Sequence, residues 1–337
     1  MQVEPYISII ILNYNGTGFL EGCVDSVLKS NYSNFEAILV DNASTDDSLA
    51  WAETIATKDI RLKIIKSTKN LFFTGGNNLG IKHARGEYII ILNNDTEVEP
   101  NWLKEIALAM QDASIGAAQP KILVYKSVPL RVDYAGGDLD RYGYAEGRYR
   151  GQIESDMHDK IEEIFYAGGT AMVLRSSILK EVGLFDHKFG AHWEDVDLSW
   201  RIRLRGHRIA LIPRAIVYHK GSQSMTRFVA SHKVAWYVRK NRLAGLIKNY
   251  SASNLLKVSP VILVIYFLIF LKELAIDRNI KLAMSSVLAV AWNVKELPYL
   301  LKERSFVQNK IRLIQDVDII KLMQKKCLPF SSLWGPV

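Results

Sequence analysis

Short continuous runs of apolar residues, each closed by a polar cluster, dominate the first hundred residues. Tyr6–Leu12 (YISIIIL) ends at Asn13-Tyr14-Asn15-Gly16, and Phe35–Val40 (FEAILV) ends at Asp41-Asn42-Ala43-Ser44. Leu62–Ile65 is a third run, and Tyr88–Leu92 (YIIIL) leads into Asn93-Asn94-Asp95. Runs of this length bounded by turn formers predict buried strands. Between them, apolar positions recur at helical spacing over Phe19–Ser30 and Ser48–Ala56. A further helix opens at Asn77–His83, and another covers Pro100–Met110 with its proline near the start. This alternation predicts an α/β fold with a mostly parallel, doubly wound sheet. Ligands of such sheets gather beyond the carboxyl ends of the strands, where the polar clusters stand.

Residues 121–165 lack periodicity and read as an irregular, hairpin-like excursion over the site. Order returns at Phe165–Leu174, where Gly168-Gly169 leads into a strand, and two more strands follow over Arg208–Ile212 and Ala215–Tyr218. Farther on the pattern changes. Val258–Leu271 (VSPVILVIYFLIFL) carries no charge in its fourteen residues, and Leu282–Val294 is a second apolar stretch. A bilayer span takes about 20 residues. Two short apolar helices with basic flanks predict interfacial or re-entrant membrane attachment. A hairpin buried on the rest of the chain or on a second subunit is the alternative. The chain therefore divides into residues 1–245, the α/β domain, and residues 246–337, an apolar, basic helical region that associates with membrane or oligomerises.

Charge sharpens this division. The net charge of +8 is uneven, with 18 Lys and Arg against 6 Asp and Glu from residue 221 onward. The basic third is apolar rather than interleaved with aromatics, which speaks against nucleic acid as a partner. Cys23 and Cys327 show no metal-ligand spacing, and Cys23 reads as a small buried residue of the first helix. The start of the chain, MQVEPYISII, lacks a basic leader and reads as strand rather than secretory signal.

Candidate chemistry concentrates in Gly183–Gly206, GLFDHKFGAHWEDVDLSWRIRLRG. Glu194, Asp195 and Asp197 stand where a loop enters a helix, a place suited to a general base. Capping and salt bridges to Arg201, Arg203 and Arg205 are the plainer explanation. Asp95, flanked by amides at a strand end, can hold Mg²⁺ or Mn²⁺, or close an Asx turn. Asp41 can accept from a base or ribose, or cap the next helix. His219 can bind the metal or donate to a phosphate, or be a structural histidine. Gly75-Gly76 ahead of a helix lets backbone approach a phosphate or sugar. Dinucleotide, P-loop and nucleophile-elbow motifs are absent.

Six ordered motifs resemble glycosyltransferase family 2, the inverting enzymes with a GT-A fold, and most nearly its rhamnosyltransferase-like group. They are SIIILNYNG, VDNASTDDS, TGGNNLGIKHARGEYIIILNNDTEVEPNWL, AGGTAMVLR, the acidic segment above and VYHKGSQS, within residues 6–245. The resemblance implies a nucleotide-diphospho-sugar donor (dTDP-, UDP- or GDP-linked, dTDP-rhamnose first). It also implies a glycan or glycolipid acceptor, a divalent metal, and work at the cytoplasmic face of the cell membrane as a peripheral or monotopic protein. Asn13, Tyr14, Asp41, Asn78, Asn93 and Asn94 would line the donor site, with Asp41 on the base or ribose. Asp95 would hold the metal, with His219 on the metal or diphosphate. Asp195 would be the general base, with Glu194 the alternative. Gly168 and Gly169 would allow close approach of a sugar, Trp193 would stack on the acceptor, and Arg239 and Asn241 would support the acceptor side. The chain departs from the family at Asn93, the first position of the DxD motif, and at Phe72, where Asn-x-Gly-Phe is usual. The QxxRW motif of processive synthases is absent, so single-sugar addition is expected. A nucleotidyltransferase and a non-catalytic carbohydrate-binding protein on the same fold are the competing classes.

Overall fold

The computed structural model describes residues 4–157, 159–221 and 230–325. Strand β1 (Ile7–Asn13) shows how its core is built. Ile7, Ile9 and Ile11 pack on one face of the sheet and Ile10 on the other, and all four are fully buried. A strand covered on both faces reads as continuously apolar, which is the pattern seen in sequence. The first face is covered by α1 (Leu20–Leu28), α2 (Ser48–Ala56) and α4 (Trp102–Ala109). The second is covered by α3 (Phe72–His83), α5 (Ser176–Val182), α6 (Glu194–Leu204) and the C-terminal helices. Cys23 lies buried in α1, and Cys327 falls outside the described residues.

The sheet order is β10 (Glu162–Glu163), β12 (Arg208–His219), β6 (Ile115–Val124), β11 (Ala171–Arg175), β4 (Tyr88–Asn93), β1, β2 (Phe35–Asp41) and β3 (Leu62–Lys66). Strands β2, β3 and β4 run parallel with β1. Direction reverses at β11, which is antiparallel to both β4 and β6. The sheet is therefore mixed, with one parallel half. Strand β6 runs from residues 115–120, for which no element is expected, into the start of the excursion expected to be irregular. Pro120 is accommodated at the register shift where β12 bulges between Ile212 and Ile216. That bulge also joins the two expected strands of 208–218 into one. The rest of the excursion holds β7 (Val132–Tyr134), the small ribbon of β8 (Gly137–Leu139) and β9 (Ala145–Gly147), and the short edge strand β10.

Helix α3 begins at Phe72, ahead of the expected Asn77. Gly75 and Gly76 are thus inside a helix and form no phosphate loop. A Cβ on Gly76 would come within 2.3 Å of the Leu12 side chain, so this glycine lets α3 lie close on the sheet.

Helix α7 (Ser231–Asn249) carries the chain into the C-terminal region, so the 245/246 division falls inside it. It is followed by α8 (Ala252–Ala275), α9 (Ile280–Lys295), α10 (Leu297–Phe306) and α11 (Asp316–Lys321). The apolar helices are longer than expected. Residues Leu246, Tyr250, Ile262, Ala289 and Leu300 join the same core cluster as Leu198 and Trp200, so the α/β body and these helices share one interior. A buried charge network secures the junction. Lys248 Nζ lies 2.7 Å from Asp186 and 3.1 Å from Asp197, and Arg201 lies 3.0 Å from Asp197. Burial opposes the Asp186 charge, but Lys248 outweighs it and brings that carboxyl down to about 2. The stabilisation is present above the ordinary aspartate value of about 3.9 and is lost as pH falls toward the folded value. Lys248→Met leaves two buried carboxylates without their shared cation. It is expected to cost about 3–5 kcal/mol, measured by urea unfolding; a loss below about 1 kcal/mol would show the network to be dispensable.

Candidate active site

The sheet register brings the distant acids together. After β4 the chain turns through Asn94-Asp95 into β5 (Thr96–Val98), which pairs with the end of β12 so that Thr96 faces His219. His219 Nε2 consequently lies 3.4 Å from Asp95 Oδ1. On its other side Nδ1 lies 2.6 Å from Oδ2 of Asp133, which β7 carries in. Burial works against the imidazolium, but the two carboxylates outweigh it and raise His219 to about 9. The same contact holds Asp133 below the usual carboxylate range. Phe19, Tyr125, Asp133, His219 and Lys220 border a cleft of ≈ 400 Å³. Asp133 was missed in sequence because it lies in the aperiodic excursion, where only long-range pairing gives an acid its position.

The base candidate is tied to this end. Asn93 N–H donates to the Thr170 carbonyl at 3.0 Å, one step past the β4–β11 pairing, so the Asn93–Asp95 turn and Gly168-Gly169 adjoin the same end of these two strands. Gly169 N–H donates to Asp195 Oδ2 at 3.1 Å, and Val196 N–H donates to Oδ1 at 2.8 Å. Asp195 is half-buried, whereas Glu194 is only 5% exposed and its Oε2 has no hydrogen-bond partner among the described residues. Burial, then the charge of Asp195, pushes Glu194 far above the usual carboxylate range. Burial also raises Asp195, against its two backbone donors. Asp197, the third acid of the motif, is fully buried and accepts from Arg201, Lys248 and Asn249, so its role is structural.

The turn into α6 is strained. His192 and Trp193 have φ of 64° and 68°, the left-handed region that side chains rarely adopt. Asn241 of α7 holds this turn by donating to the carbonyls of Phe189, Ala191 and His192 at 3.1, 2.9 and 2.6 Å. Asn241→Ala removes all three contacts. The expected result is a kcat about 10–100-fold lower and a stability loss of about 1–3 kcal/mol, checked by steady-state kinetics and thermal unfolding. Unchanged kcat in a destabilised protein would confine Asn241 to folding.

At the other end, Asn13 is a buried hub. Its Nδ2 donates to Ser48 Oγ at 2.9 Å and reaches Asp41 Oδ1 at 3.3 Å, while its Oδ1 accepts from Asn94 at 2.9 Å. Asp41 is 2% exposed and also accepts from Ser44 N–H, a turn within its own loop rather than a cap on α2, whose N-cap is Asp47. Half-buried Tyr14 follows in the same loop.

Three expectations are corrected. Trp193 is buried at 6% exposure, donates from its ring to the Gly143 carbonyl, and packs so tightly on α7 that a Cβ on Gly245 would lie 1.9 Å away. It is not open for stacking. Arg239 points into the C-terminal helices, 2.5 Å from Glu273 and in contact with Ser285 and Ser286, and is not at the acceptor side. Asn78 is engaged through both amide atoms by the Phe185 backbone and joins α3 to a loop rather than lining a donor pocket. Gly168 and Gly169 lie under Tyr134 and Phe73, with Gly169 serving Asp195 directly. The end of the motif VYHKGSQS lies outside the described residues.

Residues 8–183, more than half the chain, match the family model described as glycosyl transferase family 2. The chain belongs to that family. Its residues 8–183 form the family's glycosyl transferase domain, on a GT-A fold. An uncharacterized glycosyltransferase of Haemophilus influenzae is 24% identical over 85% of this chain and 85% of its own length. The O-antigen biosynthesis protein RfbC of Myxococcus xanthus is 29% identical over 65% of this chain. The chain spans only 18% of RfbC, and 25% of the y4gI protein of Sinorhizobium fredii, which is 28% identical over 66% of this chain. Among solved structures, GalNAc-T7 with UDP, GalNAc and Mn²⁺ superposes with a TM-score of 0.61 at 18% identity. That likeness covers 94% of this chain and 60% of GalNAc-T7, and it shows the fold.

Proposed function

We propose that this family 2 enzyme moves one sugar from a nucleotide-diphospho-sugar to a hydroxyl of a lipid-linked or cell-surface glycan, inverting the anomeric centre. The carrying observation is the Asp195 carboxylate, fixed by the N–H groups of Gly169, just ahead of β11, and Val196, in α6, at the end of the sheet where β4 leads into Asp95 and its neighbour His219. An acceptor hydroxyl is a weak nucleophile at neutral pH. Asp195 takes its proton as the oxygen attacks the anomeric carbon opposite the leaving nucleoside diphosphate. Glu194, at 5% exposure, is less open to an acceptor hydroxyl than half-buried Asp195.

A divalent metal fits the other end. Among the described residues no cluster of three or more His, Cys, Asp or Glu is arranged to hold an ion. Asp95 offers a carboxylate oxygen and His219, on giving up its Nε2 proton to solvent, an imidazole nitrogen, a donor pair that would suit Mn²⁺ or Mg²⁺ taking its remaining ligands from water and diphosphate. GalNAc-T7 holds Mn²⁺ with UDP on this fold. Such an ion would neutralise charge on the leaving diphosphate. Asp133, bonded to Nδ1, leaves Nε2 of His219 turned toward Asp95.

The C-terminal helices support work at a membrane surface. Helix α8 is long and apolar enough to cross a bilayer by length and composition. Its outward face carries Leu256, Leu263, Val264, Phe267, Leu271 and Leu274, while its inward face holds Tyr266 and Glu273 against α7. Its buried side is mostly apolar as well, with Val258, Ile262 and Ile265, so α8 is apolar around most of its surface, unlike a water-facing helix. With its inner face on the protein, α8 suits an in-plane, monotopic seat at the cytoplasmic face, beside anionic lipid.

Thermal stabilisation by UDP, dTDP and GDP with Mn²⁺, then by their sugars, dTDP-rhamnose first, tests the donor reading. Selective stabilisation by one metal–nucleotide pair is expected; none from any pair would overturn it. Flotation with anionic vesicles tests the membrane seat. Loss of binding in Phe267→Ser supports it, and a soluble, vesicle-free dimer opposes it.

A further inference from the structure

We infer that Phe72 is the platform on which the donor's nucleobase stacks. The inference rests on the donor reading above. Phe72 is 56% exposed, and no other Phe, Tyr or Trp among the described residues of 4–221 is exposed. A ring left in water forgoes the burial that aromatic side chains ordinarily gain. Its backbone is unfavourable as well. Its φ is 57°, a conformation that a bulky side chain adopts only when its surroundings impose it.

The surroundings do impose it. Asn42 Oδ1 accepts from Leu71 N–H at 2.8 Å, and Asn42 Nδ2 donates to Asn70 Oδ1 at 3.0 Å. Asn70 Oδ1 in turn accepts from Phe72 N–H at 2.8 Å. Asn42 directly follows Asp41 at the carboxyl end of β2, so the exposed ring is anchored to a ligand-bearing strand end.

Sheet order sets which part of the donor lies there. Asp95 marks the diphosphate end at β4, and β1 separates it from β2 and β3. The base, at the far end of a nucleoside diphosphate, falls toward β2 and β3, where the Phe72 turn stands. The neighbouring ring is committed elsewhere. Phe73 packs on Phe185, with ring centroids 5.9 Å apart, and lies over Gly169 beside the Asp195 carboxylate. Of two consecutive phenylalanines, one walls the reaction centre and the other is left for a flat partner. A base presents such a face whatever its edge carries, so Phe72 adds affinity for the nucleoside without choosing among bases.

Calorimetric titration of the full chain with Mn²⁺ tests this, using the tightest-bound of UDP, dTDP and GDP, and inorganic pyrophosphate. Phe72→Gly is expected to weaken the nucleotide about tenfold while pyrophosphate binding stays unchanged. Its Tm should not fall, because glycine accepts the left-handed backbone without strain. Phe72→Tyr should bind as wild type does. Unchanged nucleotide affinity in Phe72→Gly overturns the inference. So does equal weakening of nucleotide and pyrophosphate, or a Phe72→Tyr as weak as the glycine variant, since each marks a merely structural role. Failure of the wild type to bind any of the three nucleotides would instead fall on the donor reading.

Discussion

Asp195→Asn is expected to lower kcat by about 10³-fold while leaving nucleotide affinity in place, within the range for loss of a positioned general base. The amide keeps its one oxygen for the Gly169 N–H, 3.1 Å from the present carboxylate, and loses only the Val196 contact, so an unchanged Tm and nucleotide affinity accompany the expected loss of rate. What disappears is the proton acceptor. The pH profile gives a second, independent reading. A base works only when deprotonated, and burial raises Asp195 above the ordinary carboxylate range. Wild-type kcat should therefore fall on acidification at a pH higher than an exposed aspartate, near 3.9, would dictate. The residual activity of the variant should lack that limb. Near wild-type turnover, or an acid limb that survives the substitution, would remove Asp195 from the base role.

Asp95→Ala is expected to weaken Mn²⁺-dependent binding of the nucleoside diphosphate by about 10–100-fold and to lower kcat at least as far. The physical reason is local. Asp95 is 3% exposed, and it faces His219 on the cleft side of β5. Without it the described residues offer His219 alone at that point, still bonded to Asp133. Binding measured in chelator should be the same for wild type and variant, because the Asn13–Asp41 hub reaches this turn through the Asn94 amide, which the substitution leaves in place. Nucleotide affinity indifferent to Mn²⁺ in both proteins would show that this site works without a metal.

Local pattern determined much of this molecule. The runs YISIIIL, FEAILV and YIIIL became β1, β2 and β4 because strands buried on both faces must be apolar throughout, whatever lies around them. Ser48–Ala56 formed a helix with its expected ends, since spacing alone sets which side is buried. The family and its acid-bearing strand ends were legible for the same reason, as short motifs with short-range geometry. Tertiary structure decided the rest, wherever a side chain's fate depended on a distant partner. Trp193 and Arg239 look like surface recognition groups in sequence, yet α7 and the C-terminal helices enclose them. Asp133 has no local signal, and β6–β7 pairing alone brings it to His219. Glu194 and Asp195 are adjacent carboxyls of like chemistry. Only their unequal burial, and the Gly169 N–H that reaches one of them, sets them apart, because desolvation and hydrogen bonding are properties of the packed surroundings and not of the residue.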